Sequence, residues 1–299
     1  MKKNIMLWVG SVMLLFLLLV TFVGPYMSII DRELKPVPYH WGPNNKLILP
    51  PYKYSADNPL GSDKKGVDNL SRLIVGAKLT LMLTVSIALI RYFVGVPLGL
   101  FARKKRGLAH HILGVMNMVF SYIPPILAAA LFISLPLLVH QPLRLFWIVV
   151  FLGIIEAGRV GYLVQQQTFS VSQEPFVEAG NALGLSPRRL SLKYYLPAIM
   201  PDLIVNFCLD LGKCLLLLGQ LGVLGFFLTQ RFSNEIGMVN ISNDWGGMLA
   251  SHTYDIFVSK FQNVLIPAFA MLYAILTFNV FGEGLRHHFN RRSSSSKTL

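Results

Sequence analysis

Six apolar stretches, at residues 5–23, 79–101, 112–139, 145–165, 199–228 and 264–285, decide what this chain can become. A helix needs about twenty apolar residues to cross the hydrocarbon core of a bilayer. Its backbone N–H and C=O groups must all be bonded internally, which leaves helices and closed barrels as the only spanning structures. Barrel strands alternate over about ten residues, and these stretches are too long and too uniformly apolar for that. The chain is 54% hydrophobic and only 14% charged, where a soluble domain carries about 25% charge. The expectation is an all-α integral membrane protein with about six transmembrane helices.

The formal charge is +13. Nucleic acid is one reading of such an excess, but most of the basic residues flank the apolar stretches, so the pattern reports membrane orientation and no nucleic-acid partner is expected. Arg103 to Arg106 follow the second stretch directly, whereas the next loop on the other side holds Arg144 alone. Placing both termini in the cytoplasm puts thirteen Lys and Arg inside and three in the short outer loops. The long first loop holds eight more, and long loops obey the rule less strictly. The layout is a first helix at 1–23, an extracytoplasmic segment at 24–78, a membrane domain at 79–285 and a disordered cytoplasmic tail at 286–299. The first apolar run is longer than a signal peptide core and lacks a clean small-residue cleavage pattern, so it reads as an uncleaved span. Residues 35–54 are rich in Pro and aromatics, which favours extended, irregular backbone. Asp68 to Lys78 reads as an amphipathic helix lying at the interface before the chain turns into the membrane. Pro124, Pro125 and Pro136 imply a kinked or broken third span.

The longest polar interruption in the second half is EAGNALGLSPRRLSLKYYLP, residues 178–197. Ala179, Ala182 and Leu183 give a short helix a small apolar face. Glu178 near its start complements the helix dipole, and Gly184 suits a left-handed stop. Pro187 and Pro197 keep the following segment from continuing as one straight helix. The pattern Glu178, Ala179, Gly180, Gly184, with Leu196-Pro197 downstream, resembles the coupling loop of ABC importer permeases, with Gly180 in place of the family's second Ala. The resemblance implies a loop, here 170–197, that docks on an ATPase subunit.

Three further stretches carry the same likeness. NPLGSDKKGVDNLSRLIVGAKLTL, residues 58–81, resembles a signature of the C-type membrane subunit of oligopeptide, dipeptide and nickel importers, matching at Pro59, Leu60, Gly61, Asp63, Gly66, Asp68, Ser71, Arg72, Gly76 and Leu81. Residues 243–249, NDWGGML, and 276–286 with Phe278-Asn279 and Gly282-Glu283-Gly284-Leu285-Arg286 resemble two more of that family's motifs. The resemblance implies a type I permease fold and half of a translocation path for peptides, nickel or other small solutes. It also implies a B-type permease partner, two ABC ATPase subunits that bind the ATP and Mg, and an extracytoplasmic substrate-binding protein, all at the cell membrane. No cofactor is expected in this chain.

The residues themselves offer no enzyme. The one Gly-Lys pair, Gly212-Lys213, lacks the earlier glycine of a phosphate-binding loop and lies in a span. The adjacent pairs His110-His111 and His287-His288 point different ways on a helix, and Cys208 and Cys214 lack metal-ligand spacing. No catalytic residue and no metal ligand is expected. Five ionisable residues fall at membrane depth: Arg91, Glu156, Arg159, Asp210 and Lys213. Such groups face a bundle interior or a watery path and find partners. Glu156 with Arg159, and Asp210 with Lys213, stand at i,i+3 and can pair on one helix face. They serve either as lining of a solute path or as polar links to a partner helix. A rival reading keeps the fold but not transport: a membrane scaffold or sensor subunit. A secondary transporter would need inverted repeats, and none is apparent.

Overall fold

The computed structural model describes residues 4–41, 47–56, 58–139, 141–233, 237–240, 242–257 and 261–296. Lys2, Lys3, Lys46, Lys260 and Lys297, counted in the charge argument, lie outside them. Helices dominate the described residues: α1 (Ile5–Phe22), α2 (Asn69–Phe101), α3 (Leu108–Tyr122), α4 (Pro125–Ile133), α5 (Pro136–Val139), α6 (Arg144–Val171), α7 (Pro175–Ala182), α8 (Pro187–Leu190), α9 (Leu196–Val223), α10 (Trp245–His252) and α11 (Phe261–Ser296). Two antiparallel pairs of short strands accompany them, β1 (His40–Trp41) with β2 (Leu47–Ile48) and β3 (Gln230–Ser233) with β4 (Gly237–Asn240).

Among the described residues, four helical stretches are long and apolar enough to cross a membrane: Ile5–Tyr26, Asn69–Lys104, Arg144–Val171 and Phe261–Asn290. The pair Leu108–Phe120 and Pro125–Ile133 makes a fifth if taken as one broken span, bent by 87°. Pro124 and Pro125 sit at that bend, where each ring removes a helical N–H. Helix α9, 28 residues long, is not one of these stretches, so the count of six rests on including it.

Three expectations are corrected. Helix α2 runs unbroken from Asn69 through Phe101, so no turn separates an interfacial helix from the second span. No proline falls near residue 78 to force one, and Gly76 is taken up by a close approach to the Asn243 backbone. Helix α11 continues through Ser296, so the described part of the tail is helical; no glycine or proline follows Gly284 to end it. The proline-rich insert is extended as expected but not irregular throughout: β1 pairs with β2, His40 opposite Ile48 and Trp41 opposite Leu47.

The chain divides into two compact units. The first holds Met1–Gly10, Thr84–Cys214 and Phe278–Leu299. Its packing depends on small residues that let backbones touch, the usual solution where lipid removes the hydrophobic drive between helices. A Cβ on Gly95 of α2 would stand 2.8 Å from the Ala157 carbonyl of α6, and one on Gly99 2.5 Å from the Gly161 carbonyl. Gly95-x-x-x-Gly99 therefore lies directly on Ala157-x-x-x-Gly161. Near the N-terminus, a Cβ on Gly10 would lie 2.6 Å from the Phe281 backbone, and Asn4 donates to the Gly284 carbonyl at 2.7 Å.

The second unit holds Ser11–Leu83 and Leu215–Thr277. The signature at 58–81 is a turn scaffold here. Asp63 Oδ1 accepts the backbone N–H groups of Lys65 and Val67, and Oδ2 meets Arg72 Nη1 at 3.2 Å. Asp68 Oδ2 caps α2 by accepting from Ser71 N and Oγ, both at 2.7 Å. Asp244 caps α10 from Gly247 N, and the buried Trp245 donates its backbone N–H to Thr80 Oγ1 and its indole N–H to the Leu73 carbonyl. The two motifs thus meet, and they fix the start of α2.

Candidate functional site

Between α6 and α9 the chain makes a short, self-contained excursion. Helix α6 ends at Val171, and Pro175 opens α7 at its first position, where a missing N–H costs nothing. The close of α7 follows from Gly184. At φ 72° it lets the Gly184 N–H reach the Asn181 carbonyl and the Leu185 N–H reach the Gly180 carbonyl. This is the paired closure of a Schellman stop. Ser186 Oγ then accepts from Arg189 N to start α8. The segment Ser191–Tyr195 winds as a π turn before α9 begins at Leu196. Pro197 explains that widening: its ring clashes with a carbonyl four residues back and supplies no N–H. Pro187 and Pro197 do interrupt a straight helix, one as a start and one as a π turn.

Helix α7 is held from beneath. Val177 is fully buried with Leu190 and Tyr195, against Leu100, Val171, Leu185 and Tyr194. A second cluster of Val160, Val164, Ile199 and Leu203 also packs on Leu100 and Val171, and on Leu196. Leu100 and Val171 belong to both clusters, so α7 is fastened to the ends of α2 and α6. Gly180 is buried as well. A methyl there would come within 3.1 Å of Leu190 and 3.5 Å of Tyr194, so the space is tight at the position where the resembled motif carries alanine. The apolar face expected at Ala179, Ala182 and Leu183 is not the buried one. Those residues are exposed together with Glu178 and Phe176, and Leu183 is 78% exposed. The sequence reading missed Val177, although a valine one residue before Glu178 was its signal.

The membrane-depth charges come together, and further than the sequence indicated. Glu156 Oε2 accepts from Arg159 at 3.0 Å, and Asp210 Oδ1 from Lys213 at 3.2 Å, the two expected i,i+3 pairs. Arg159 also reaches Asp210 Oδ1 at 2.9 Å, which joins α6 to α9. Arg91 of α2 reaches Glu156 Oε2 at 2.8 Å, and the Tyr92 hydroxyl donates to Asp210 Oδ2 at 3.2 Å. Three helices therefore share one network. Its position follows from the glycine seam: Arg91 is one turn before Gly95, and Glu156 is next to the Ala157 that Gly95 touches. Arg91 is 1% exposed, Arg159 36% and Lys213 50%. Tyr92 was not singled out in the sequence. Among the described residues no group of three or more His, Cys, Asp or Glu is placed to hold a metal ion, and Cys208 and Cys214 are free and buried.

A multi-pass helical membrane protein with a short exposed helix fastened between two spans is the class this architecture defines. Residues 95–295 match the binding-protein-dependent transport system inner membrane component family, and the chain belongs to it. Among curated proteins it is similar to the dipeptide transport system permease protein DppC of Alkalihalophilus pseudofirmus, 26% identical over 287 residues, covering 96% of this chain and 86% of the relative. The protein of the same name from Bacillus subtilis is 27% identical over 289 residues, covering 96% and 82%. The glutathione transport system permease protein GsiD of Pectobacterium atrosepticum is 24% identical over 228 residues, covering 76% and 70%. The expected membership among C-type importer permeases stands. The chain is a membrane component of a binding-protein-dependent ABC importer. Family membership carries with it, in general terms, a permease partner, ATPases and a substrate-binding protein.

Proposed function

We propose that this chain forms half of the translocation path of a peptide importer and transmits the motion of two ATPase subunits through α7. The carrying observation is the two-sided character of that helix. Val177 and Gly180 lock one side to α2, α6, α8 and the π turn before α9, while Phe176, Glu178 and Leu183 are exposed on the other. Apolar side chains left open beside a charge are what a docking surface offers. A rigidly anchored element passes displacement on to what it is anchored to.

In this reading α7 seats in a groove of an ATPase subunit. ATP and Mg²⁺ bind the ATPase pair and not this chain. Closure of the pair moves α7, and the fastening at Leu100, Val171 and Tyr195 carries that movement into the spans. The path, shared with a B-type permease, opens toward an extracytoplasmic binding protein, and hydrolysis resets it. Arg159, Glu156, Asp210 and Lys213 line the path, since a half-exposed ammonium at membrane depth needs water or a counter-charge beside it. Both termini are cytoplasmic, in keeping with Arg103 to Arg106 after α2. Small peptides are the proposed cargo, in line with the dipeptide and glutathione transport named for the relatives.

The test is Gly184→Trp in the assembled importer. A bulky L-residue at φ 72° breaks the Schellman stop and alters the exposed side. Membrane insertion should persist while uptake is lost and ATPase activity no longer responds to loaded binding protein. Unchanged uptake would refute the coupling role.

A further inference from the structure

The ion network does not balance. Three cations, Arg91, Arg159 and Lys213, share two carboxylates, Glu156 and Asp210. The fifth polar member, Tyr92, is a neutral donor to Asp210. The surplus is therefore one positive charge, and burial shows where it sits. Arg91 is sealed against Glu156 at 1% exposure, while the side chains of Arg159 and Lys213 are 36% and 50% exposed. The acidic groups are recessed, Glu156 at 17% and Asp210 at 5%, and both are already occupied by this chain's own cations. The most exposed groups of the network are thus its donors.

The open donors also converge. Arg159 Nη2 and Lys213 Nζ reach the same oxygen, Asp210 Oδ1, at 2.9 and 3.2 Å. Two nitrogens held on one oxygen stand near enough to share a second carboxylate between them. Arg159 keeps a buried Nε with no partner, so its bonding capacity is unfilled. Lys213 stands ten residues before the end of α9, about 15 Å along the helix axis. That is well within an apolar layer about 30 Å thick, where an unmatched cation is costly unless an anion or water meets it.

We propose that Arg159 and Lys213 form a carboxylate-binding station on the solute path, taking the C-terminal carboxylate of a small peptide as it passes. Asp210 holds the two cations at fixed spacing, and Glu156 with Arg91 fixes Arg159 from behind. The station favours a solute with a free carboxylate over its amide, because the amide cannot neutralise the surplus charge. This inference rests on the path-lining reading above.

The test uses the whole importer in proteoliposomes with its binding protein. The probes are L-alanyl-L-alanine and its C-terminal amide, and the readout is the ratio of their initial uptake rates. One binding protein serves every variant, so a changed ratio belongs to the permease. Lys213→Gln is expected to lower the acid-to-amide ratio about tenfold, the size of one charge-assisted hydrogen bond, and Lys213→Arg to restore it. An unchanged ratio, or equal loss of both probes, overturns the station. A separate variant, Lys213→Cys with Cys208 and Cys214 replaced by Ala, reports whether a water-soluble thiol reagent reaches the position. Labelling with an unchanged ratio overturns the carboxylate station alone. Failure to label overturns the path-lining reading beneath it.

Discussion

Arg159 donates through one nitrogen, Nη2, to Glu156 on its own helix and to Asp210 on α9, at 3.0 and 2.9 Å. Through it the Arg91–Glu156 pair and the Asp210–Lys213 pair become one network. Removing a carboxylate from such a cluster should cost more than removing a matched pair, since an unpaired buried charge is worse than none.

Glu156→Leu strands Arg91, the most buried cation of the set at 1% exposure. We expect a loss of about 3–5 kcal/mol, seen as a lower thermal midpoint of the detergent-solubilised complex. The double variant Arg91→Leu with Glu156→Leu should recover part of that loss, and a double-mutant cycle measures the coupling. Additive effects would show that the pair is not a unit.

The glycine seam makes a second prediction. A methyl on Gly99 would meet the Gly161 carbonyl at 2.5 Å and Val164 at 2.6 Å, so the helices must separate to admit it. Gly99→Ala should cost about 1–3 kcal/mol, as overpacking does, and Gly99→Leu should abolish assembly. Gly114, with nothing near its would-be Cβ, is the control: Gly114→Ala should leave the midpoint unchanged or slightly raised.

A third prediction concerns acid. His252 is buried at 3% exposure, and its Nδ1 meets Asp255 Oδ2 at 2.8 Å. Burial pushes the imidazole below its ordinary value of 6.5; the Asp255 hydrogen bond and charge pull the other way, as does Asp63, while Arg72 adds to the lowering. For Asp255, burial pushes upward but is outweighed by hydrogen bonds from Asn263 and His252 and by the charges of His252 and Lys64, and the carboxyl ends below 3.8. A lowered His means the unfolded chain takes up the proton first, so stability falls as pH drops below about 6.5 and stops falling below the folded value. A lowered Asp gives stability that is present above its unfolded value and is lost as pH falls through the folded one. Both act in the acid direction. Thermal midpoints should decline from near pH 6.5 downward, and His252→Gln should flatten the upper part of that decline. A midpoint that rises on acidification would contradict the assignment.

Much of the site was legible because it is local. Gly184 followed by Ser186-Pro187 encodes a left-handed stop and a new helix start within four residues, and the structure has both. The i,i+3 charge pairs are equally local and form as expected. What the sequence hid is tertiary. Arg91 meets Glu156 across 65 positions, and only the four-residue spacings Gly95/Gly99 and Ala157/Gly161 hint that these helices touch. Val177 is an anchor because Leu100 arrives from another helix. The amphipathic pattern of residues 68–78 gives way to an apolar run with no helix breaker between them, so the change of polarity does not mark a turn and α2 is continuous. Chain ends posed the same problem in reverse: a Ser-rich tail predicts disorder by composition, yet an uninterrupted α11 carries its helix to Ser296.

The central claim is that an exposed α7, gripped through Val177, joins this chain to ATPase subunits. Co-purification in mild detergent from the native cell, read by mass spectrometry, tests it most directly. The account predicts a second multi-span permease and ATPases bearing phosphate-binding loops in the eluate, with the ATPases lost from the variant Glu178→Arg with Gly184→Trp while the permease partner remains. A chain that elutes without ATPases, or a double variant that keeps them, would contradict it.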